Sequence, residues 1–144
     1  MENLIELNFS GVLRIKNKDN TMKIIVCGGR DYSDKEFLFK ILDFFHINKG
    51  ITLIVQGGAK GADALAIEWA NKNLVEYNTY LADWTAFGKF AGPLRNKKMA
   101  KDGADLCIAF PGGTGTKNMI EAATYFNIPV LDLEKMLDVL LDDL

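Results

Sequence analysis

Three glycine-rich segments, each directly after a short apolar run, constrain the fold of this 144-residue chain more than any other feature. They are Cys27–Asp31, Gln56–Asp63 and Pro111–Thr116. A strand that passes through a glycine turn into a helix directs free backbone N–H groups, and the positive end of the helix dipole, toward one point. Because parallel strands end at the same edge of a sheet, we expect the three segments to meet in one anion-binding crevice.

The remaining sequence alternates between apolar runs of four to six residues and longer stretches of helical periodicity. This alternation is typical of βα units. We therefore predict an α/β fold, a three-layer Rossmann-like doubly wound parallel sheet in a single domain. The predicted strands cover 23–27, 51–55, 75–81, 104–110 and 129–131, and the predicted helices cover 34–46, 62–72, 94–102, 116–126 and 134–141.

Two regions depart from this regular pattern. Residues 83–96 lack a period but contain aromatic side chains, which predicts an ordered functional loop. Residues 1–21 are predicted to be an accessory segment, a hairpin about Ser10 and Gly11 or a strand, before a nucleotide-binding domain at 22–144. The alternation within 75–81 favours a half-exposed strand at the edge of the sheet.

Composition excludes several classes of function. The net charge of −2 and pI of about 5.4 argue against a broad surface for duplex nucleic acid. Cys27 and Cys107 fit no disulfide framework or metal-binding pair, and His46 is the single histidine, so we expect no metal site. The sequence has no long apolar run and no signal-peptide pattern, so we expect a soluble, cytoplasmic protein.

The third glycine segment is the strongest candidate for an anion site. Gly112, Gly113 and Gly115 permit close approach of the backbone, and Thr114 and Thr116 add hydroxyl groups where a helix begins.

The second segment resembles a P-loop only in part. Gly61 follows Lys60, where a P-loop has Ser or Thr, so magnesium-dependent triphosphate hydrolysis is not supported. Lys60 is a candidate partner for a phosphate. Asp63 is a candidate for binding a sugar hydroxyl or, equally, a negative charge that stabilises the start of its helix.

The first segment lacks the dinucleotide fingerprint with three spaced glycines, which disfavours a standard Rossmann dehydrogenase. Arg30 follows Gly28 and Gly29 at the end of a predicted strand. It is a candidate phosphate clamp, with surface pairing to Asp31 or Asp34 as the alternative.

The chain resembles the SLOG superfamily of Rossmann-like nucleotide-binding domains, most closely its YspA branch related to YpsA. The resemblance is carried, in this order, by Cys27–Tyr32, Gln56–Asp63, Ala82–Trp84, Gly88–Lys89, Ala91–Pro93, Arg95–Asn96, Met99 and Phe110–Thr116. The resemblance covers residues 22–132. It implies that the chain binds, as a sensor or by sequestration, a nucleotide derived from NAD or ADP-ribose. It also implies a homo-oligomer with no obligatory cofactor.

Two other branches of that superfamily are similar to parts of the chain. LOG-type phosphoribohydrolases, which are nucleotide N-glycosidases, share the third segment, but Met119 stands where their catalytic glutamate lies. Such an enzyme here would have to use Asp63, Asp83 or Glu121, with Arg95 beside it. DprA, which binds single-stranded DNA, is similar to the second segment, and its basic groove would have to come from Lys97, Lys98 and Lys101.

The sequence thus predicts a set of ligand-binding residues, with Trp84 or Phe87 covering the base. The set is Gly28, Gly29, Arg30, Gly57, Gly58, Ala59, Lys60, Gly61, Asp63, Trp84, Arg95, Asn96, Gly112, Gly113, Thr114, Gly115 and Thr116. The candidate catalytic residues are Asp63, Arg95 and Glu121.

Overall fold

The fold was analysed in a computed structural model, which describes the backbone of residues 5–7, 13–15 and 21–142 and the side chains of residues 21–138. The strands are β1 (Ile5–Leu7), β2 (Leu13–Ile15), β3 (Lys23–Cys27), β4 (Leu53–Gln56), β5 (Glu76–Thr79), β6 (Leu106–Ala109) and β7 (Val130–Asp132). The helices are α1 (Lys35–Asn48), α2 (Ala62–Lys72), α3 (Trp84–Phe87), α4 (Ala91–Lys101), α5 (Thr114–Tyr125) and α6 (Leu133–Asp142).

The predicted parallel sheet is confirmed. Five strands pair in the order β5-β4-β3-β6-β7, and every pair is parallel. The strand order reverses at β3, because the chain adds β4 and β5 on one side of it and then crosses from β5 to β6 on the other side. In open α/β sheets such a reversal leaves a crevice outside the carboxyl ends of the strands. The predicted edge strand is β5, at one side of the sheet.

A hydrophobic core covers each face of the sheet, because side chains along β3 alternate in direction. Ile24 and Val26 face the cluster that contains α1 and α2, whereas Ile25 and Cys27 face the cluster that contains α4 and α5. Hence the molecule has the three layers expected of a doubly wound fold.

The predicted loop at 83–96 is wrong, because most of this segment is helical. The helix α3 is followed by a 3-10 turn over Gly88–Phe90 and then by α4, which begins at Ala91. Pro93 lies in the first turn of α4, where a missing N–H group removes no intrahelical hydrogen bond. Gly92 and Pro93 therefore belong to the start of a helix and not to a loop.

The antiparallel pair β1 and β2 lies before this sheet, with Ile5 opposite Ile15 and Leu7 opposite Leu13. The turn predicted about Ser10 and Gly11 lies outside the described residues. Within the described part of the chain, no helix has the length and hydropathy needed to cross a membrane.

Candidate functional site

A crevice of about 670 Å³ opens at the carboxyl ends of β3, β4 and β6. All three glycine segments contribute to its lining, together with α4 and residues from the helical segment that precedes it. The first segment lies between the other two, since Gly29 donates to Pro111 O (2.9 Å) and accepts from Ala62 N (3.2 Å). The expected convergence of the three segments is therefore present.

Gly61 allows the first and second segments to pack against each other. It adopts a positive φ of 76°, and a Cβ atom there would overlap the carbonyl oxygen of Gly29 and lie 2.7 Å from Arg30 backbone atoms. A side chain is excluded by both backbone conformation and space. Gly61 thus supports the crevice from behind and does not line it.

Asp63, the second residue of α2, organises the second segment from inside. Its Oδ2 accepts hydrogen bonds from Gly57 N and Ala59 N, both at 3.2 Å. The residue is 7% exposed, and its Oδ1 atom accepts no hydrogen bond among the described residues. Because no described polar side-chain atom is both buried and unpartnered, Oδ1 remains accessible from the crevice that Asp63 lines.

Burial and the groups around Asp63 shift its pKa in opposite directions. Burial raises the pKa of this carboxyl, while the hydrogen bonds from Ala59 and Gly57 and the charges of Arg95 and Arg30 lower it. Burial has the larger effect, and the pKa lies above its usual value.

Arg95 on α4 ties the second segment to the helix layer. Its Nη1 donates to Gly57 O (2.9 Å) and Tyr80 O (3.3 Å), and its Nε donates to Asn96 Oδ1 (2.9 Å). Burial lowers the pKa of Arg95 from its very high usual value, and the charge of Asp63 opposes that shift. Its Nη2 makes no hydrogen bond in the described part of the chain, so this nitrogen is available to a ligand in the crevice.

Asn96 is 5% exposed and joins α4 to α5. Its Nδ2 donates to Gly115 O (3.3 Å) and Asn118 Oδ1 (2.9 Å), which uses both of its N–H groups. The sequence predicts Asn96 as a ligand-binding residue. Its side chain lines the crevice, but its donors are committed to the protein.

The third segment leaves its amides open. The helix α5 begins at Thr114 with Gly113 at the N-cap position, and no side chain caps it. Within the described part of the chain, no N–H group from Gly112 to Thr116 donates a hydrogen bond. A Cβ atom at Gly113 or Gly115 would meet nothing within 4 Å. The open end of α5 can therefore accept an anion directly.

The rim of the crevice carries positive charge and one indole ring. The guanidinium of Arg30 lies 5.9 Å from the ring centre of Trp84, and Lys89 also lines the opening. Neither Asp31 nor Asp34 forms an ion pair with Arg30 among the described residues. The lining thus holds three cations, Arg30, Lys89 and Arg95, against the single carboxylate of Asp63.

The floor is apolar and rich in sulfur. It comprises Val26, Cys27, Met99 and Met119. Cys27 and Cys107 are both free and buried, in agreement with the sequence analysis, and a hydrogen bond to Cys107 together with burial raises the pKa of the Cys27 thiol. A thiol with a raised pKa is a poor nucleophile, so the floor offers packing contacts.

Several predicted residues do not line the crevice. These are Gly58, Lys60, Gly61, Phe87, Gly112 and Glu121. Lys60 and Glu121 are exposed. Asp83 instead accepts from Ala86 N (3.0 Å) and caps α3. The remaining predicted residues all contribute to the lining.

Lys89 and Met99, which belong to the pattern of the family resemblance but not to the predicted ligand-binding set, also line the crevice, and so does Asn118, which the sequence did not single out. Lys89 reaches the crevice because it lies in the 3-10 turn of the segment that we predicted as a loop. Asn118 lies one turn after Thr114, so the helical spacing of four residues was the signal that could have identified it.

The basic residues of α4 do not share one environment in the structure. Arg95 turns into the crevice, whereas Lys97, Lys98 and Lys101 are exposed on α4, and Lys98 pairs with Asp102 at 3.4 Å. Among the described residues, no group of three or more potential ligands could hold a metal ion.

Comparisons with known proteins agree with this fold. A family model described as YAcAr, the YspA, cpYpsA-related SLOG family, matches residues 22–87. The Gene 61 protein of Mycobacterium phage D29 is 36% identical over 118 residues, which span 76% of this chain and 94% of that protein.

Two solved structures are similar. The X-ray structure of TM1055 has a TM-score of 0.61 and 18% identity, covering 76% of this chain and 72% of that one, which supports the fold. Glycinamide ribonucleotide transformylase 1 from Symbiobacterium toebii has a TM-score of 0.42 and 15% identity, covering 73% of this chain and 49% of that chain.

Proposed function

This chain belongs to the YspA, cpYpsA-related SLOG family, and on that premise we propose that its crevice binds a nucleotide by a phosphate group and does not cleave it. The observation that carries the proposal is the uncapped start of α5, with free N–H groups from Gly112 to Thr116. The helix dipole and these donors together favour an anion.

The rest of the crevice supports a ligand larger than phosphate. Its volume of about 670 Å³ lies within the range of sites for small organic ligands. The floor around Met119 is apolar, and Trp84 is half exposed at the rim, where its indole can stack on a planar base. A nucleotide derived from NAD or ADP-ribose has both the charged and the planar groups that these surfaces accept.

Binding without cleavage follows from the carboxylates. A nucleotide N-glycosidase needs a carboxylate to stabilise the sugar cation or to activate water. Met119, which is 1% exposed, takes the position of that group in LOG-type enzymes. Glu121 is exposed outside the lining, which leaves Asp63 as the single lining carboxylate, with Oδ2 committed to two backbone hydrogen bonds and Oδ1 alone accessible from the crevice. We expect no release of free base from any nucleotide that binds.

The decisive experiment compares Thr114→Pro with Thr114→Ala. Both remove the hydroxyl, but only proline removes the first N–H group of α5, and proline is well tolerated at the first position of a helix. NAD, ADP-ribose and cyclic ADP-ribose are titrated by calorimetry into wild type and both variants. We expect the proline variant to bind at least about tenfold more weakly than the alanine variant, since hydrogen bonds to charged groups contribute about 1.5–3 kcal/mol.

Thermal unfolding of the two variants provides the structural control, and their melting temperatures should agree closely. Equal affinities in the two variants would contradict the role of the α5 amides. If the wild-type protein bound none of the three nucleotides, the proposed function would fail as a whole.

A further inference from the structure

Asn118 lines the crevice one helical turn beyond the amides that open α5. The orientation of its side chain is set by a series of hydrogen bonds that joins three residues, Arg95, Asn96 and Asn118 itself. The first is Arg95, whose guanidinium can only donate. The atom of Asn96 that faces Arg95 Nε at 2.9 Å must therefore be the oxygen, Oδ1. The nitrogen of Asn96 then faces Asn118.

The same reasoning fixes Asn118 in turn. Since Nδ2 of Asn96 donates at 2.9 Å, the atom of Asn118 that receives this bond is its oxygen. Nδ2 of Asn118 is left without an acceptor in the described part of the chain, on a residue that lines the crevice. Because buried Asn96 already holds the oxygen of this side chain, a ligand that accepts from its free donor meets a lower ordering cost than it would at an unrestrained side chain.

The surroundings of Asn118 indicate which part of a ligand it meets. It follows Thr114 by four residues, so it lies on the same face of α5 and about 6 Å further along the axis. The crevice that Asn118 lines also includes the apolar residues Met119 and Met99, which are 1% and 2% exposed, and Asn118 itself carries no charge. A neutral amide among such groups cannot offset the desolvation of a second phosphate.

From this geometry we infer that Asn118 is a ligand-binding residue whose Nδ2 donates to an uncharged acceptor of the nucleoside part, either a sugar hydroxyl or a base oxygen or nitrogen. Asn96 acts as the positioning residue that aims it. The inference rests on the proposed function, because it needs a phosphate held at the start of α5.

The test measures affinity for three probes in wild type and Asn118→Ala. ADP-ribose carries phosphate, sugar and base, ribose 5-phosphate lacks the base, and inorganic phosphate lacks both. We expect the variant to bind ADP-ribose about three- to tenfold more weakly and inorganic phosphate equally well, since one net hydrogen bond contributes about 0.5–1.5 kcal/mol. A matching loss for ribose 5-phosphate assigns the contact to the sugar, and no loss assigns it to the base.

A second readout follows the side-chain amides themselves by NMR in a ¹⁵N-labelled protein. In the free protein, the Asn96 amide should exchange slowly with water and the Asn118 amide quickly. Addition of ADP-ribose, but not of inorganic phosphate, should slow exchange at Asn118. The spectrum of Asn118→Ala identifies its signal.

The outcomes separate the two proposals. If wild type binds ADP-ribose and Asn118→Ala binds it equally, or if phosphate binding falls as much as ADP-ribose binding, the inference is overturned and the proposed function stands. Slow exchange of the Asn118 amide in the free protein also overturns it. If wild type binds none of these probes, the inference falls, and the proposed function falls with it if NAD and cyclic ADP-ribose also fail to bind.

Discussion

The second and third glycine segments look alike in the sequence, yet the structure uses them in opposite ways. In the second, the amides of Gly57, Gly58, Ala59 and Ala62 all donate within the protein. In the third, the amides from Gly112 to Thr116 donate to nothing in the described part of the chain. The second segment thus satisfies the amides of Gly57, Gly58, Ala59 and Ala62 internally and leaves those of Lys60, Gly61 and Asp63 without an acceptor among the described residues, whereas the third segment satisfies none of its amides from Gly112 to Thr116.

Part of the difference arises from one carboxylate near the start of α2, since Asp63 accepts from Gly57 N and Ala59 N, while Gly58 N donates to Gln56 Oε1 and Ala62 N to Gly29 O. Asp63, at the second position of α2, supplies the negative charge that an anion would otherwise bring. In α5 the corresponding residue is Gly115, which supplies nothing. A glycine turn before a helix is therefore evidence for an anion site only when no acidic side chain already takes its donors.

The largest expected effect is the difference in stability between alanine variants at Gly61 and at Gly115. Gly61→Ala should lower the free energy of unfolding by about 2–5 kcal/mol, because the methyl group meets the first segment and φ is positive. Gly115→Ala should leave stability unchanged or raise it by up to about 1 kcal/mol, because it lies in a helix beside open space. Urea unfolding measures both, and equal losses would contradict the comparison.

The two arginines of the crevice should differ in the same way. Arg95→Met removes the bonds to Gly57 O and Tyr80 O and should cost about 1–3 kcal/mol of stability. Arg30→Met should change stability by less than about 0.5 kcal/mol, because Arg30 is exposed and makes no hydrogen bond in the described part of the chain. Both variants should weaken ADP-ribose binding in calorimetry. A stability loss in Arg30→Met as large as that in Arg95→Met would show that the first segment also depends on its arginine.

Asp63→Asn tests the internal acceptor through pH. Burial raises the pKa of Asp63 in the folded state, so protonated Asp63 favours folding. This contribution to the free energy of unfolding is complete below the pKa of Asp63 in the unfolded state and is lost as pH rises through its pKa in the folded state. The amide oxygen of asparagine can keep both backbone hydrogen bonds. Relative to wild type, the variant should therefore gain stability as pH rises from about 4 to about 8.

Denaturant unfolding across that pH range measures the difference in stability between the two proteins, which cancels the contributions of all the groups that they share. A difference that does not change with pH would mean that Asp63 keeps an ordinary pKa. The variant should also bind anionic nucleotides at least as tightly as wild type, since the crevice loses its single lining carboxylate.

The smallest expected effect distinguishes two lysines. Lys89 lines the crevice and Lys60 does not, although only Lys60 belongs to a glycine segment. Lys89→Gln should weaken ADP-ribose binding about two- to fivefold, the range expected for an exposed charge pair. Lys60→Gln should leave it unchanged, and a larger effect at Lys60 would mean that the second segment also binds the ligand.

The sequence predicts the strands and helices well where periodicity is strong. Strand Lys23–Cys27 and helix Ala62–Lys72 have the predicted bounds, because a buried apolar run and an amphipathic helix each leave a clear pattern. The loop predicted at 83–96 is wrong, since the four-residue helix and the 3-10 turn with which this segment begins are too short to show a period. Their stability comes from Asp83 at the cap and from packing of Trp84 over Gly92.

The sequence also predicts the convergence of the glycine segments, but not how their hydrogen bonds are distributed. Gly61 packs against the first segment, and Asn96 donates its amide hydrogens to α5. Both arrangements depend on contacts between residues that are distant in the chain. Residue type alone does not determine whether a donor faces the protein or a ligand. This is why Asn118 was missed and why the role of Asn96 changes.

The pairing of β3 with β6 has a consequence for how the protein acquires its site during folding. Lys23 N bonds to Asp105 Oδ2 across 82 positions of the chain, and Ile25 pairs with Cys107. Contacts of such high sequence separation form slowly, because a long loop must close before any bond rewards it. During synthesis, the second glycine segment is complete long before the chain reaches Thr116. We therefore expect any ligand binding in the crevice to require the completed pair of β3 and β6, and not only an early collapse of the chain.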